Sequence, residues 1–323
     1  MIELALVGLG RWGRVLIASV QNKSPHVRFR AAVTRTPELS RDYARETGIA
    51  LHDRIEAALA DPHIAGLVLA SPHSKHAEQA EQAIAAGRHV FVEKPFTLTV
   101  GDARRVIEAA ETAGLVLAAG HNRRFLPAMV ALKRLVTEGQ LGRVLHIEGN
   151  MSGPTAASYP DSWRADAVES PAGGLAGAGI HLIDAMIHLE GRIDEVTAQS
   201  LHRIVPLEMD DTTSVLFRFR SGASGYLGTM TATAPTFRLH LFGSEGSAEL
   251  RGERELGIVD LEGMRLHHDF PPFDMERAEL EAFAAAIEGR SPYPVPLDEV
   301  VAGIAAFEAV PRAAAEGRRI RLA

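Results

Sequence analysis

Short apolar runs alternate with amphipathic stretches from the first residue to about residue 120. Runs of this length that are separated by helical patterns are typical of βαβ units, which build a parallel sheet covered by helices. The predicted strands lie at residues 2–7, 27–33, 66–70, 89–92 and 115–119. The pattern therefore predicts an α/β domain over residues 1–120, with a doubly wound parallel sheet.

Turn and capping residues separate these predicted elements. Thr36 can cap a helix that has Pro37 at its first position, and Thr99 can cap the helical pattern at 100–113. Gly87 and Gly114 each follow a helical pattern, where glycine commonly ends a helix. These residues support strands and helices that alternate through the first 120 residues.

The pattern changes after residue 120. A helix is predicted at 127–138, and longer alternating runs at 143–152, 212–220 and 237–242 indicate strands with one face exposed to water. Two further helices are predicted at 276–288 and 297–316, and Pro311 is expected to kink the second helix or end it early. Residues 121–323 are thus predicted to form an α+β domain with a large, mostly antiparallel open sheet.

Composition excludes several classes of function. The chain of 323 residues has a formal net charge of −7, with no basic stripe, so a nucleic-acid partner is not expected. It contains no cysteine, which rules out disulfides, thiolate metal ligands and thiol nucleophiles. The sequence has no apolar run long enough for a membrane span or a secretion signal, so we expect a cytoplasmic protein without a membrane partner.

A glycine-rich turn directly follows the first predicted strand and opens a helical pattern at 14–21. In such a turn the first glycine permits a tight bend, the second lets backbone N–H groups reach a pyrophosphate, and the third lets helix and strand pack closely. The helix N-terminus then faces the anion. We predict a Rossmann domain that binds a dinucleotide at this turn, which reads Gly8-Leu9-Gly10-Arg11-Trp12-Gly13.

The residues after the second predicted strand bear on the choice of cofactor. Sites selective for NAD usually carry an acidic residue there, which binds the ribose hydroxyls. This chain has Thr34, Arg35 and Thr36 instead, and two hydroxyls around a guanidinium suit a 2′-phosphate. We therefore expect NADP in preference to NAD, with a surface role for Arg35 as the alternative.

The sequence Glu93-Lys94-Pro95, which follows a predicted strand, resembles a motif of the glucose–fructose oxidoreductase, inositol dehydrogenase and MocA family. The similarity extends over nearly the whole chain. It includes residues 70–76 (ASPHSKH), 122–125 (NRRF), 163–164 (WR), 173–174 (GG), 179–184 (GIHLID), 279–283 (ELEAF) and 317–322 (GRRIRL).

The resemblance implies hydride transfer between a nicotinamide cofactor and a sugar, a polyol or a related hydroxy or carbonyl compound. It implies that Lys94 and His181 are catalytic and handle the proton. It further implies cofactor contacts from Ser71, Pro72, His76, Glu93, Lys94 and Arg164, and substrate contacts from Lys94, Arg164, His181 and Asp184. A small-molecule substrate and a homodimer or homotetramer are expected.

One position departs from the family pattern. Members with a Lys–Asp–His set carry the aspartate four residues before the histidine, where this chain has Gly177. An acid such as Asp166 or Asp184 could compensate, the substrate could carry the missing carboxylate, or turnover could be lost. Gly177 also leaves volume, which would admit a bulkier or acidic substrate. His181, Asp184 and His188 would share one helix face, but we predict no metal site because no further ligand cluster accompanies them.

Two classes of function remain open at this point. The first is an NAD(P)-dependent oxidoreductase that acts on CH–OH groups. The alternative is a dinucleotide-binding sensor or regulator on the same fold without catalysis, because fold alone does not separate the two.

Overall fold

The computed structural model describes residues 1–159 and 162–322. Contacts divide the chain into two compact units, one of Met1–Asn122 with Asp274–Leu297 and the other of Arg123–Phe273 with Asp298–Ala323. The elements of the first 122 residues are β1 (Ile2–Val7), α1 (Arg11–Val20), β2 (Val27–Val33), α2 (Arg41–Thr47), β3 (Ala50–His52), α3 (Ile55–Leu59), β4 (Gly66–Leu69), α4 (His76–Ala85), β5 (His89–Glu93), α5 (Val100–Ala113) and β6 (Leu117–Gly120).

The remaining residues form further helices and a second set of strands. In chain order these are α6 (Pro127–Thr137), β7 (Val144–Ser152), α7 (Ile180–Glu190), β8 (Ile193–Leu201), β9 (Thr212–Phe219), β10 (Ser224–Met230), β11 (Thr236–Gly243), β12 (Gly246–Arg251), β13 (Glu255–Asp260), β14 (Arg265–Asp269), α8 (Met275–Ile287), α9 (Leu297–Glu316) and β15 (Ile320–Arg321).

The first unit contains a six-stranded parallel sheet in the order β3-β2-β1-β4-β5-β6. This is the strand order of a Rossmann fold. The chain adds strands towards one edge up to β3 and then towards the other edge from β4, so the topological switch point lies between β1 and β4. Strand β4 is buried along its whole length and β1 over its last four residues, because helices cover both faces of such a sheet. The predicted parallel α/β domain is confirmed.

Helix α8 belongs to the first unit although it comes late in the chain. Its apolar face carries Leu280, Phe283 and Ala284, which join one buried cluster with side chains of β1, α1 and β2. Arg277 also donates a hydrogen bond from Nε to the carbonyl of Ser19 at 2.9 Å. The sequence interpretation placed this segment in the second domain, whereas its buried face packs with the Rossmann strands.

The predicted ends of α5 are confirmed, whereas the predicted cap at Thr36 is wrong and Pro311 does not end α9 early. Thr99 caps α5 by accepting a hydrogen bond from the Asp102 amide, and Gly114 ends the same helix with a left-handed φ of 63°. Thr36 makes no side-chain cap and is followed by a 3-10 turn. Helix α9 continues through Pro311, because the missing amide removes only one hydrogen bond from a helix of 20 residues.

The second unit contains a nine-stranded mixed sheet in the order β14-β13-β12-β11-β7-β10-β9-β8-β15. Its pairs are antiparallel except for β7 with β10, so the predicted mostly antiparallel sheet is confirmed. Burial alternates along β9, as expected for a sheet with one covered face. Among the described helices, none is both long enough and apolar enough to cross a bilayer.

Candidate active site

The glycine turn after β1 forms an open anion cradle. Gly8 has a φ of 103°, and a Cβ there would lie 2.5 Å from the carbonyl oxygen of Ala70, so only glycine fits this bend. At Gly13 a Cβ would overlap the carbonyl of Gly8. A Cβ at Gly10 meets no described atom within 4 Å, although Gly10 directly precedes the N-terminus of α1. The residues present therefore fit a dinucleotide pyrophosphate.

The 34–36 segment follows β2 on the same edge of the sheet as the glycine turn. Thr34 is half-buried and its amide donates to the carbonyl of His52, while Arg35 and Thr36 are exposed. No acidic residue stands at the end of β2. A guanidinium that is exposed at this point is available to a phosphate group.

The turn after β4 is tied to the turn after β5 by a buried histidine. The ring of His76 lies 2.9 Å from the carbonyl oxygen of Pro95 through Nδ1 and 3.1 Å from that of Ser71 through Nε2. His76 is 1% exposed, and Ser71 is also buried. The imidazole thus holds together two strand-end turns of the parallel sheet, and its predicted contact with the cofactor stays a prediction.

Lys94 directly follows β5, with Glu93 as the last residue of that strand. Lys94 is half-buried, whereas Glu93 is 4% exposed and accepts a hydrogen bond from the Lys94 amide at 3.3 Å. Neighbouring Gly120 leaves room for this carboxyl, because a Cβ there would lie 3.1 Å from Glu93 Cδ. The carboxyl ends of parallel strands carry the ligand sites of open α/β sheets, and Lys94 stands at such an end.

Burial raises the pKa of Glu93 to about 7. The Trp12 indole and Lys94 act in the opposite direction, and the Glu276 carboxylate adds to the rise. The Trp12 N–H lowers the pKa of Glu93, although the contact between the two side chains does not have the geometry of a regular hydrogen bond. Sequence analysis placed Glu93 and Trp12 among the cofactor contacts but did not find that they lie together beside Lys94.

Two close-packed glycines, Gly173 and Gly174, position the segment of the second unit that leads into α7. Gly173 has a φ of 59°, and a Cβ there would overlap the carbonyl of Asp210. At Gly174 a Cβ would lie 2.7 Å from Thr229 Oγ1. The backbone therefore lies directly against the residues before β9 and against β10, which fixes the start of the π-helical turn Leu175–Gly179 that leads into α7.

Asp211 fixes the loop that Gly173 packs against. Burial raises the pKa of its carboxyl, but the backbone N–H groups of Ile204, Val205 and Arg203 outweigh this effect and hold the pKa at about 2. The ionised carboxylate thus orders the residues between β8 and β9.

His181 is the second residue of α7 and is 5% exposed. It follows the π-helical turn, and turns of this kind inside helices are frequent at functional sites. Four residues earlier, Gly177 is half-buried, and a Cβ built there would lie 3.5 Å from the Tyr159 hydroxyl. The position for which the family resemblance implies an aspartate thus faces a phenol in this chain.

Asp184 is engaged by a buried guanidinium. Arg124 donates from Nε and Nη2 to both oxygens of Asp184, at distances down to 2.6 Å, and from Nη1 to Glu299 at 2.6 Å. Its Nη1 also lies 3.2 Å from His188 Nδ1. A direct contact of Asp184 with substrate stays a prediction, and the structure shows that this carboxylate is held by Arg124.

The ion-pair network also affects Glu299. Burial raises the pKa of Glu299, but His188 and Arg124 outweigh it and hold the pKa at about 2. Across residues 1–159 and 162–322 no group of three or more His, Asp or Glu side chains is arranged to hold a metal ion. Of the three α7 side chains that share one helix face, Asp184 and His188 contact Arg124.

Arg164 stacks on the indole of the preceding residue. Its guanidinium carbon lies 4.1 Å from the centre of the Trp163 ring, in a 3-10 turn that Ser162 caps. Both side chains are half-buried, and Asp166, considered as a compensating acid, is exposed. Stacking fixes the plane of the guanidinium, which suits recognition of a planar or charged group.

Fold and site together define a two-unit protein with a dinucleotide-binding α/β unit. The family description "Oxidoreductase family, NAD-binding Rossmann fold" matches residues 2–121, and "GFO/IDH/MocA C-terminal domain" matches residues 129–249. These two matches cover most of the chain in the expected order. The chain belongs to the Gfo/Idh/MocA family of oxidoreductases.

Individual relatives share about 30% sequence identity with this chain or slightly less. The chain is 31% identical over 194 residues to the uncharacterized oxidoreductase C115.03 of Schizosaccharomyces pombe, a match that covers 58% of this chain and 52% of that relative. It is 28% identical to the 1,5-anhydro-D-fructose reductase of Ensifer adhaerens, over 96% of this chain and 98% of the reductase.

A solved structure of similar fold contains a cofactor. The crystal structure of GenD2 from gentamicin A biosynthesis, in complex with NAD, superposes with a TM-score of 0.87 and 26% identity. The superposition covers 100% of this chain and 96% of GenD2.

Proposed function

We propose that the protein is an NAD(P)-dependent oxidoreductase that transfers a hydride between a nicotinamide cofactor and a sugar, a polyol or a related compound. The main support is the open cradle at Gly10, at the same carboxyl edge of the parallel sheet as Lys94. Strands β1 and β5 are separated only by β4 in this sheet. A ligand bound across these strand ends would reach both residues.

The proposed cofactor contacts follow the strand ends of the first unit. The glycine turn and the N-terminus of α1 would bind the pyrophosphate, with Arg11 and Trp12 beside it. The turns after β4 and β5 would contact the nicotinamide ribose. The remaining proposed contacts are Thr34, Arg35, Thr36, Ser71, Pro72, His76, Glu93 and Lys94. Arg164 is proposed as a further contact because the family resemblance implies it.

The bound nicotinamide supplies the hydride chemistry, and the protein handles the proton. In the oxidative direction the substrate C–H bond yields the hydride and the O–H bond yields a proton. Lys94 would donate a hydrogen bond from Nζ to the substrate oxygen and stabilise its developing negative charge. His181 would accept the proton in oxidation and return it in reduction, since an imidazole exchanges protons near neutral pH.

The substrate class is drawn from the family and from one relative of nearly full length. That relative is named as a reductase of 1,5-anhydro-D-fructose, which is a sugar carbonyl compound. Absorbance of NADPH and NADH should be followed with a panel of aldoses, ketoses, inositols and hydroxy acids. We expect turnover with at least one member, and consistent silence across the panel would contradict the proposal and favour a non-catalytic sensor.

We further propose that the enzyme prefers NADP, because Arg35 is exposed at the end of β2 and no acid stands there. Arg35→Asp should weaken NADPH binding much more than NADH binding, since it replaces a phosphate-binding cation with a carboxylate that repels phosphate and accepts ribose hydroxyls. Titration of both coenzymes by protein fluorescence measures the two affinities. Arg45→Asp, in the exposed part of α2, is the matched control, and an equal loss for both coenzymes would refute the preference.

A homodimer or homotetramer is proposed for the assembly, through the exposed face of the nine-stranded sheet. Tyr226 of β10 pairs with Leu216 of β9, and these side chains are 37% and 57% exposed. Apolar side chains on a sheet face are commonly covered by a symmetry mate. Light scattering should give the mass of two or four chains, and a monomer mass would contradict this proposal.

A further inference from the structure

Gly177 is a glycine that neither the backbone nor the packing requires. Its φ lies outside the left-handed region, unlike that of Gly173. A Cβ at Gly177 would meet a single described atom within 4 Å, the Tyr159 hydroxyl at 3.5 Å, which is an ordinary van der Waals distance. By contrast, a Cβ at Gly174 or Gly179 would come within 2.8 Å of a neighbouring side chain. Among residues 1–159 and 162–322, the missing side chain at 177 therefore leaves space in front of a phenol.

The Tyr159 hydroxyl is placed to use this space. Tyr159 is 5% exposed, so its ring is fixed among its neighbours. The hydroxyl donates to Thr155 Oγ1 at 3.3 Å, a long hydrogen bond, and its oxygen keeps lone pairs that can accept a further hydrogen bond. Gly177 is half-buried, so it does not close off the space between itself and Tyr159.

This space lies on the same helix face as His181. Residues four apart in a helical segment are neighbours on one face, with Cβ atoms about 5–6 Å apart. Gly177 lies in the π-helical turn that runs directly into α7, and His181 follows it by four residues. Position 177 and His181 therefore share one face, and the Tyr159 hydroxyl lies opposite that position, 3.5 Å from a Cβ built there.

We propose that Tyr159 is a substrate-binding residue, which hydrogen-bonds a hydroxyl of the substrate in the space that Gly177 leaves open. Position 177 then determines which substituent is accepted next to His181. The phenol is neutral and can both donate and accept, so it suits a neutral polyol or sugar with a hydroxyl beside the reacting carbon. This inference rests on the proposed function, since it concerns the substrate of the same site.

The test uses the full-length protein and the panel member with the lowest KM. Tyr159→Phe should raise the KM of that substrate about 3- to 10-fold through loss of one neutral hydrogen bond, with a smaller effect on kcat. Gly177→Ala should also raise this KM, because its methyl group fills the space. In the double variant the two effects should combine to less than their product, because both act on the same contact.

Two controls separate binding from damage to the fold. Tyr226→Phe and Gly101→Ala make the same chemical changes elsewhere, and neither should alter KM. The KM of the cofactor and the melting temperature should stay unchanged in all variants; if Tyr159→Phe unfolds, Gly177→Ala decides the matter alone.

An unchanged substrate KM in both Tyr159→Phe and Gly177→Ala would overturn this inference while leaving the proposed function intact. A wild-type protein that turns over no panel member would overturn the proposed function and this inference with it.

Discussion

Lys94→Ala is expected to reduce turnover by about 10³-fold while the affinities for NADPH and NADH stay nearly unchanged. Lys94 stands at the end of β5, where its ammonium would stabilise the charge that develops on the substrate oxygen. The pyrophosphate cradle lies at the other end of the proposed site, at Gly10, and is untouched by the substitution. Single-turnover absorbance measures the chemical step, and fluorescence titration measures the cofactor affinity.

Lys23→Ala provides the matched control for this experiment. Lys23 is exposed and donates to the carbonyl of Ala18, so its loss removes a lysine without touching the strand ends. Full turnover in Lys94→Ala would remove Lys94 from the mechanism. Loss of cofactor binding together with turnover would show that Lys94 supports the cofactor instead.

Arg124→Met is expected to destabilise the second unit by about 3–5 kcal/mol. The Arg124 side chain is 4% exposed and compensates two acids, Asp184 with 5% and Glu299 with 28% of the side chain exposed. Methionine fills a similar volume but leaves the Asp184 carboxylate buried without its cation. Chemical denaturation, followed by circular dichroism, measures the change in unfolding free energy.

Arg134→Met is the control for this substitution. Arg134 pairs with Glu138 one helical turn away, and its side chain is 74% exposed, so the pair should contribute less than about 1 kcal/mol. Equal stability of Arg124→Met and wild type would show that the network is not needed for folding. In that case the role of Asp184 would lie elsewhere, including the predicted contact with substrate.

The parts of the fold that local patterns specify were predictable from the sequence. Five of the six strands of the parallel sheet were predicted as short, mainly apolar runs, and β1 and β2 begin and end at the expected residues. The three-residue strand β3 was not among them. Thr99 and Gly114 delimit α5 as their chemistry predicts. The glycine turn was predictable for the same reason, because the bend at Gly8 and the close packing at Gly13 need residues without a Cβ.

Contacts between distant parts of the chain were not predictable in this way. Arg124 meets Asp184 across 60 residues and Glu299 across 175, and no spacing in the sequence relates these positions. The place of α8 in the first unit likewise depends on which apolar face packs with it, not on its own helical pattern.

In the candidate site, too, local motifs were predictable and contacts between distant residues were not. Lys94 and His181 were proposed from the family resemblance, whereas the Tyr159 hydroxyl opposite Gly177 requires the folded loop after β7. The pKa of Glu93 depends on burial and on Trp12, Lys94 and Glu276, which the fold brings together. A glycine at 177 in place of an acid was the available sequence signal, but it left several explanations open and did not point to Tyr159.

Isothermal titration calorimetry with NADPH and NADH tests the central claim most directly, when wild type is compared with Gly10→Leu. The leucine Cβ would enter the open cradle and meet no described atom within 4 Å, so the variant should fold with an unchanged melting temperature. We predict that wild type binds at least one coenzyme and that Gly10→Leu binds neither. No heat from wild type with either coenzyme, or equal binding by the two proteins, would contradict the account.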